Sequence, residues 1–447
     1  MTRHRTRCPL TPGPPTSETA DPGCATMGGM FRHLRTAFDE HRQIAARIGV
    51  AMLVVAFGLL VVGGAIRVLR AAGRQPSPTA PSSSATSEWT ATLDTPVTGL
   101  AIEENRLYVA SDQLTIFPVS CVVDDGRCAP RWRGVVADGP LSVPTIRDER
   151  IFAGSAEGQL YAFPATCDGE GCPPDWIGVA GSGPVSQPAA NFDFVYATSD
   201  ELYAFPVGCA SEAFACAPAW TADVPGRPAS GAPSLGDGLV VVGSSSNRGG
   251  VSAYPAACEA TCEPVWTARF DGPATSVAIG DGFAFTVARG RLLAFPMSCT
   301  ARCEPAWRAH LALEGASTIA AAGSNGAAIV TGAEGAPVFA DGRIYVGGSD
   351  GRLWVFASSC EGGRCEPIGA HDVAATPLLP PAIDGDTAIV TSVSGSVTLI
   401  DLACDPLSPC PPVTVLRLGS AALAPAIFGP EAAIAGSDGG SLESAAR

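Results

Sequence analysis

Tryptophan recurs along this chain at intervals that call for a repeat architecture. Trp89, Trp132, Trp176, Trp220, Trp266 and Trp307 stand 43, 44, 44, 46 and 41 residues apart. Between them one order of segments returns. A Pro- or Ala-led stretch (GPLSVPTIRDE, GPVSQPAANFD) comes first. A β-branched and aromatic run ending in a small residue follows, as in Ile151–Ser155 and Ile344–Gly348. After a Gly/Ser/Asp turn comes a second aromatic run: Leu160–Phe163, Leu202–Phe205, Leu292–Phe295 and Leu353–Phe356. A loop bearing two cysteines then leads into the Trp run. Four short strands bounded by turn residues make one blade of a propeller.

The register of lead residue to second strand is twelve or thirteen throughout: Pro96/Tyr108, Pro140/Phe152, Pro184/Tyr196, Pro228/Val241, Pro273/Phe285, Ala333/Tyr345, Pro377/Ile389 and Ala421/Ile434. That is eight units. The eighth ends at AAIAGSDGGSLESAAR with no cysteine loop and no Trp run, while Glu88–Leu93 (EWTATL) is a Trp run with no blade before it. The expected fold is therefore an all-β, eight-bladed propeller of four-stranded blades, closed by strand 88–93 joining the C-terminal blade, which removes two sheet edges. Composition agrees. Gly 51 and Pro 39 make up about a fifth of 447 residues, and charged residues are only 16%, which is poor material for a helical bundle.

Fourteen of the sixteen cysteines fall into seven close pairs: Cys121/Cys128, Cys167/Cys172, Cys209/Cys216, Cys258/Cys262, Cys299/Cys303, Cys360/Cys365 and Cys404/Cys410. Between three and six residues intervene, and the Cys-x2-Cys hook of a structural zinc site never occurs. These pairs read as disulfides made in an oxidising compartment. Each is expected in the turn between the third strand and the outermost strand of its own blade, where closing so short a loop contributes about 2 kcal/mol.

Ile48–Ile66 (IGVAMLVVAFGLLVVGGAI) is free of charge and long enough to span a bilayer. Seven Arg precede it and three (67, 70, 74) follow closely, which favours a cytoplasmic N-terminus. The expected organisation is a cytoplasmic, largely disordered tail 1–46, a transmembrane helix 47–67, a Pro/Ser-rich stalk 68–87 and an extracytoplasmic propeller 88–447. Met27 and Met30 offer alternative starts. All 28 basic residues are Arg. Residues 75–447 carry 18 Arg against 39 acidic residues, a balance of −21. Such a charge argues against nucleic acid and favours cationic partners, although solubility alone accounts for it.

DGRIYVGGSDGRLWVF (341–356) and ERIFAGSAEGQLYAFP (149–164), each leading to an outer strand, resemble the PQQ-like repeat. This is the blade unit of quinoprotein dehydrogenases and of the propeller lipoprotein of outer-membrane protein assembly. The resemblance spans about residues 88–447 and implies the fold. Its usual Leu-Asp end to the third strand survives only at Ile400-Asp401; Pro118, Pro164, Pro206, Pro255 and Pro296 replace it elsewhere. The adjacent cysteines that face the cofactor in quinoprotein enzymes have no counterpart.

Candidate chemistry is sparse. His310 and His371 share a register, three residues after Trp307 and after Ile368, which reads as its counterpart. That register holds Asp223 and Arg269 in other blades, so both histidines are expected to face water rather than form a cross-blade metal or acid–base pair. Gly243–Ser246 and Gly436–Ser437 read as turns rather than nucleophile elbows, and Ser349–Gly351 and Ser437–Gly439 as hairpin turns rather than calcium loops. Residues 312–332 (ALEGASTIAAAGSNGAAIVTG) interrupt the pattern; they read as a partner-contacting loop or a functionless insertion. No catalytic, cofactor or metal residue is assigned. The expected function is a non-catalytic, membrane-anchored scaffold or sensor binding an envelope protein or small ligand on a propeller face. A membrane-bound, PQQ-dependent dehydrogenase is the alternative.

Overall fold

A computed structural model of the chain describes residues 89–119, 128–209, 214–228, 231–274, 276–311, 335–404 and 411–446. They belong to the unit Ser84–Arg447; the other unit, Met1–Ser83, lies outside the described residues, as does the 312–332 insertion. The described part is all-β in eight sheets, with a single 3-10 turn at Glu361–Gly363. Among the described residues no helix is long and apolar enough to cross a membrane, and segment 48–66 is not among them.

Each blade is an antiparallel meander. In blade 2 the strands are Thr145–Arg147, Arg150–Gly154, Gln159–Pro164 and Trp176–Val179, from the axis outward. The tight turn between first and second strands is set by local chemistry. Asp237-Gly238, Asp281-Gly282 and Asp341-Gly342 all hold positive φ, the Asp at 49–51° and the Gly at 71–76°. That is the type I′ turn, whose twist matches that of the strands it joins. Second strands such as Arg150–Gly154 are buried at consecutive positions because a neighbouring blade covers each face. The third-strand prolines sit where their missing N–H is harmless. Pro164 pairs with Arg150, but the outer strand begins only at Trp176, opposite Ala162, so no ladder bond is lost.

The ring closes as the repeat count requires. Trp89–Thr92 pairs antiparallel with Ser441–Ala446, Trp89 opposite Ser444, and completes the sheet of Ile427–Phe428 and Ala432–Gly436. The core lies between blades. Buried apolar residues sort into eight clusters, each drawn from two consecutive blades. The outer-strand Trp points into this interface: Trp176 packs with Phe205, Val207 and Cys216 of blade 3, and its Nε1 donates to the Val207 carbonyl at 3.3 Å. Near the axis, hydroxyls of one blade donate to carbonyls of the next. Thr98 Oγ1 reaches Leu141 O and Thr145 Oγ1 reaches Pro188 O, both at 2.6 Å, and Ser234 Oγ reaches Val277 O.

The cysteine loops depart from expectation. Blades 1 to 4 have five strands rather than four, and the fifth comes from the next blade. Gly171–Cys172 pairs parallel with Trp132–Gly134 of blade 1; Ala215–Cys216 pairs in the same way with Trp176–Val179 of blade 2. Ala260–Thr261 joins Trp220–Ala222, and Ala301–Arg302 joins Trp266–Arg269. A single parallel bridge, Arg308 to Arg364, does this for blade 5, and Cys128 N–H donates to Thr90 O at the seam with blade 8. The loop thus secures the preceding blade's outer strand rather than only its own. An outermost strand would otherwise offer a row of unpaired N–H and C=O groups, and two residues of neighbouring backbone satisfy part of it.

Candidate functional site

The meander sends its turns to two opposite faces. One carries the Asp-Gly turns and the cysteine loops; the other carries the turns between second and third strands and the linkers between blades. On this second face linkers and turns are bonded together: Leu141 N–H donates to Ser111 O, Ala274 N–H to Ser244 O and Leu378 N–H to Gly348 O. The second-to-third-strand turn is longest in blade 4, where Gly243 ends one strand and Gly250 begins the next. The extra residues, Ser244–Gly249, rise beside the linkers on either side of the blade. Ser245 N–H donates to Arg227 O at 3.0 Å, Gly272 N–H to Asn247 O at 2.9 Å and Phe270 N–H to Gly249 O at 3.1 Å. A Cβ at Gly249 would collide with the Gly272 carbonyl, so only glycine allows the turn to approach the linker this closely.

Between turn and linkers lies an open groove of about 450 Å³, with Gly226, Ser246, Arg248, Thr267, Arg269 and Asp271 among its lining. That volume is within the usual range of binding clefts. Phe270 also lines the groove, its ring stacked on Phe295 at a centroid distance of 5.9 Å. Arg248 and Arg269 lie on the groove's lining, together with one acidic residue, Asp271; Arg227 and Arg289 stand on the adjoining linker and turn, and all four arginines are exposed. Three of them are placed by their neighbours. Arg269 pairs across strands with Gly250, Arg248 forms a bridge with Gly272, and the Arg289 side chain lies over Gly272. None of the four belongs to an ion pair among the described residues, whose five pairs use Arg106, Arg147, Arg150, Arg302 and Arg352.

The cysteines stand on the opposite face. Cys167–Cys172, Cys209–Cys216, Cys258–Cys262, Cys299–Cys303 and Cys360–Cys365 are disulfides with Cα atoms 5.5–6.0 Å apart. Cys128 and Cys404 are also bonded, while Cys121 and Cys410 lie outside the described residues. In the five, the second cysteine is buried in an interblade cluster beside the preceding blade's Trp, as Cys216 is beside Trp176. These sulfurs are packing groups as well as cross-links.

The two histidines do not share a register. His310 pairs with Arg291 and is exposed, as expected. His371 pairs with Leu353, the counterpart of Leu292, and is therefore equivalent to the buried Ala309. Its exposure is 9%, which corrects the water-facing assignment. The error was a shift of one residue, which in a strand exchanges the two faces. Gly369, not Ile368, occupies the Trp position, and the constant interval of four residues from the second cysteine to the Trp, here Cys365 to Gly369, carried that signal. Burial holds the His371 imidazole pKa below its ordinary value, and its Nδ1 has no hydrogen-bond partner.

Other buried polar groups act as struts. Tyr196 Oη donates to Ala256 O at 2.7 Å and accepts from Asn191 Nδ2 at 2.9 Å; burial pushes its pKa up to about 12. Tyr254 Oη donates to Asp223 O at 2.7 Å, joining blades 3 and 4. Ser358 Oγ donates to Asp281 Oδ2 at 2.6 Å while its carbonyl accepts from Trp307 Nε1 at 3.2 Å, joining blades 5 and 6. The serine turns are internally bonded, Ser246 N–H donating to Ser244 Oγ and Ser441 N–H to Ser437 Oγ. Among the described residues no group of three or more His, Cys, Asp or Glu is placed to hold a metal ion.

No protein-family model matches the chain, and no curated protein matches it in sequence. Solved structures do match in fold. The computationally designed Ika8 protein superposes with a TM-score of 0.60 at 11% identity, over 81% of this chain and 100% of its own. BamB from Moraxella catarrhalis gives 0.55 at 15% identity, over 80% and 96%. Sqt1 from Saccharomyces cerevisiae gives 0.61 at 7% identity, over 81% and 99%. At these identities the likeness is one of fold.

Proposed function

We propose that this chain is a non-catalytic interaction scaffold, anchored in a membrane by segment 48–66 and presenting its propeller outside the cytoplasm. The observation that carries the reading is the groove on the linker face. It is an open cleft lined by the guanidinium groups of Arg248 and Arg269, neither in an ion pair among the described residues, mounted on a ring stiffened by eight interblade cores. Exposed polar loops on a rigid platform are where binding residues concentrate. The disulfides support an oxidising location, and the uncharged run Ile48–Ile66 with Arg at both ends supports the anchor. The strand pattern at 149–164 and 341–356, with the BamB likeness, supports reading the blade as a PQQ-like repeat used as a platform. The partner in this reading is another envelope protein.

In-cell crosslinking of the full-length chain, followed by capture and mass spectrometry, tests this. One dominant envelope protein recovered at near-equal abundance is the expected result. A capture that enriches no protein, together with saturable binding of PQQ and calcium by the purified chain, would replace the scaffold with a quinoprotein enzyme.

A further inference from the structure

We propose that the blade 4 groove seats an acidic, extended segment of a protein partner, whose carboxylates pair with Arg248 and Arg269 on its lining. The inference rests on the scaffold reading and adds the chemistry of what it binds. A guanidinium donates two parallel hydrogen bonds to a carboxylate, and here these groups are exposed and in no ion pair among the described residues. Arg248 comes from the long turn of blade 4 and Arg269 from the end of its outer strand, yet both line one cleft, with Arg289 of the blade 5 turn lying over Gly272 beside it. The hydroxyls of Ser246, Ser252 and Thr267 on its lining supply donors and acceptors for a peptide backbone.

Charge decides between classes of anion. Residues 75–447 balance at −21, so the patch is a basic island in an acidic field. Nucleic acid or an anionic bilayer extends its charge well beyond the groove and is repelled by the surrounding surface. A short run of Asp and Glu can be held within the groove and so meets less of the surrounding acidic surface than a long polyanion or a bilayer does. The cleft is also too open for a small-anion cage, since its arginines are all exposed rather than held in fixed, buried positions.

The test is fluorescence anisotropy of a fluorescein-labelled oligoglutamate peptide with the purified full chain, against oligolysine and Gly/Ser peptides. Saturable binding of oligoglutamate that weakens as salt rises toward about 0.15 M is expected. The double variant Arg248→Glu/Arg269→Glu should lose at least tenfold in affinity. Arg248→Lys/Arg269→Lys should lose less, and Arg302→Glu on the opposite face should change little; thermal melts verify that each variant keeps its fold. Absence of binding, or equal binding by the double Glu variant, overturns the proposal. Displacement by inorganic phosphate at equal concentration, or preference for phosphatidylglycerol vesicles over the peptide, overturns the peptide assignment. If these assays fail while in-cell capture still returns a partner, the scaffold reading stands and only this inference falls.

Discussion

At position 369 the outer strand of blade 6 carries glycine where blades 1 to 5 and 8 carry tryptophan. The imidazole of His371 folds back over that space, its Nε2 within 3.9 Å of where a Gly369 Cβ would stand. Burial disfavours the charged imidazole, so its pKa in the folded chain lies below the unfolded value of about 6.5. The unfolded chain then binds the proton first as pH falls. Stability is fully present above about pH 6.5 and is lost as pH drops toward the folded pKa. Thermal melts from about pH 7 to about pH 5 should show this loss, and His371→Leu should reduce it; an unchanged pH slope would show the side chain to be solvated. A second residue-scale expectation concerns Gly249. Gly249→Ala drives a methyl into the Gly272 carbonyl and should cost about 1–3 kcal/mol in urea unfolding as the turn is forced away.

At the scale of the element, the cysteine loop has two functions. It crosses from third to outer strand in its own blade and adds a short parallel strand to the blade before it. Cys167→Ser/Cys172→Ser should therefore lower stability by about 2 kcal/mol, as the loss of a short cross-linked loop implies. Amide exchange distinguishes the structural account from a simple hairpin clip. Protection should fall at Trp132–Gly134 in blade 1, which receives Gly171–Cys172; loss confined to blade 2 would contradict the interblade pairing. Trp176→Ala should cost more, about 3–5 kcal/mol, because it empties the interface between blades 2 and 3. This element was only half legible in the sequence. Cys-to-Trp spacing located the loop, but two residues of parallel pairing with another blade leave no periodicity of their own.

For the whole molecule, blade number and closure were legible because every blade repeats an interval of twelve or thirteen residues from lead residue to second strand. Trp89–Thr92 had one unpaired place to go, beside Ser441–Ala446. The groove was not legible. Arg248 and Arg269 stand twenty-one residues apart, and only the stacking of linkers on the long turn brings them to one groove. Removing residues 1–93 should expose the Ser441–Ala446 edge and replace a single cooperative melt with a broad one, whereas removing 1–87 should leave the melt intact. The proposed role requires the linker face around blade 4 to contact a partner. A photocrosslinking residue placed at Asn247, with a second chain carrying it at Asp148 on the opposite face, tests that in cells. The account predicts one strong protein adduct from position 247 and none from 148; adducts from 148 alone, or equally from both, would contradict it.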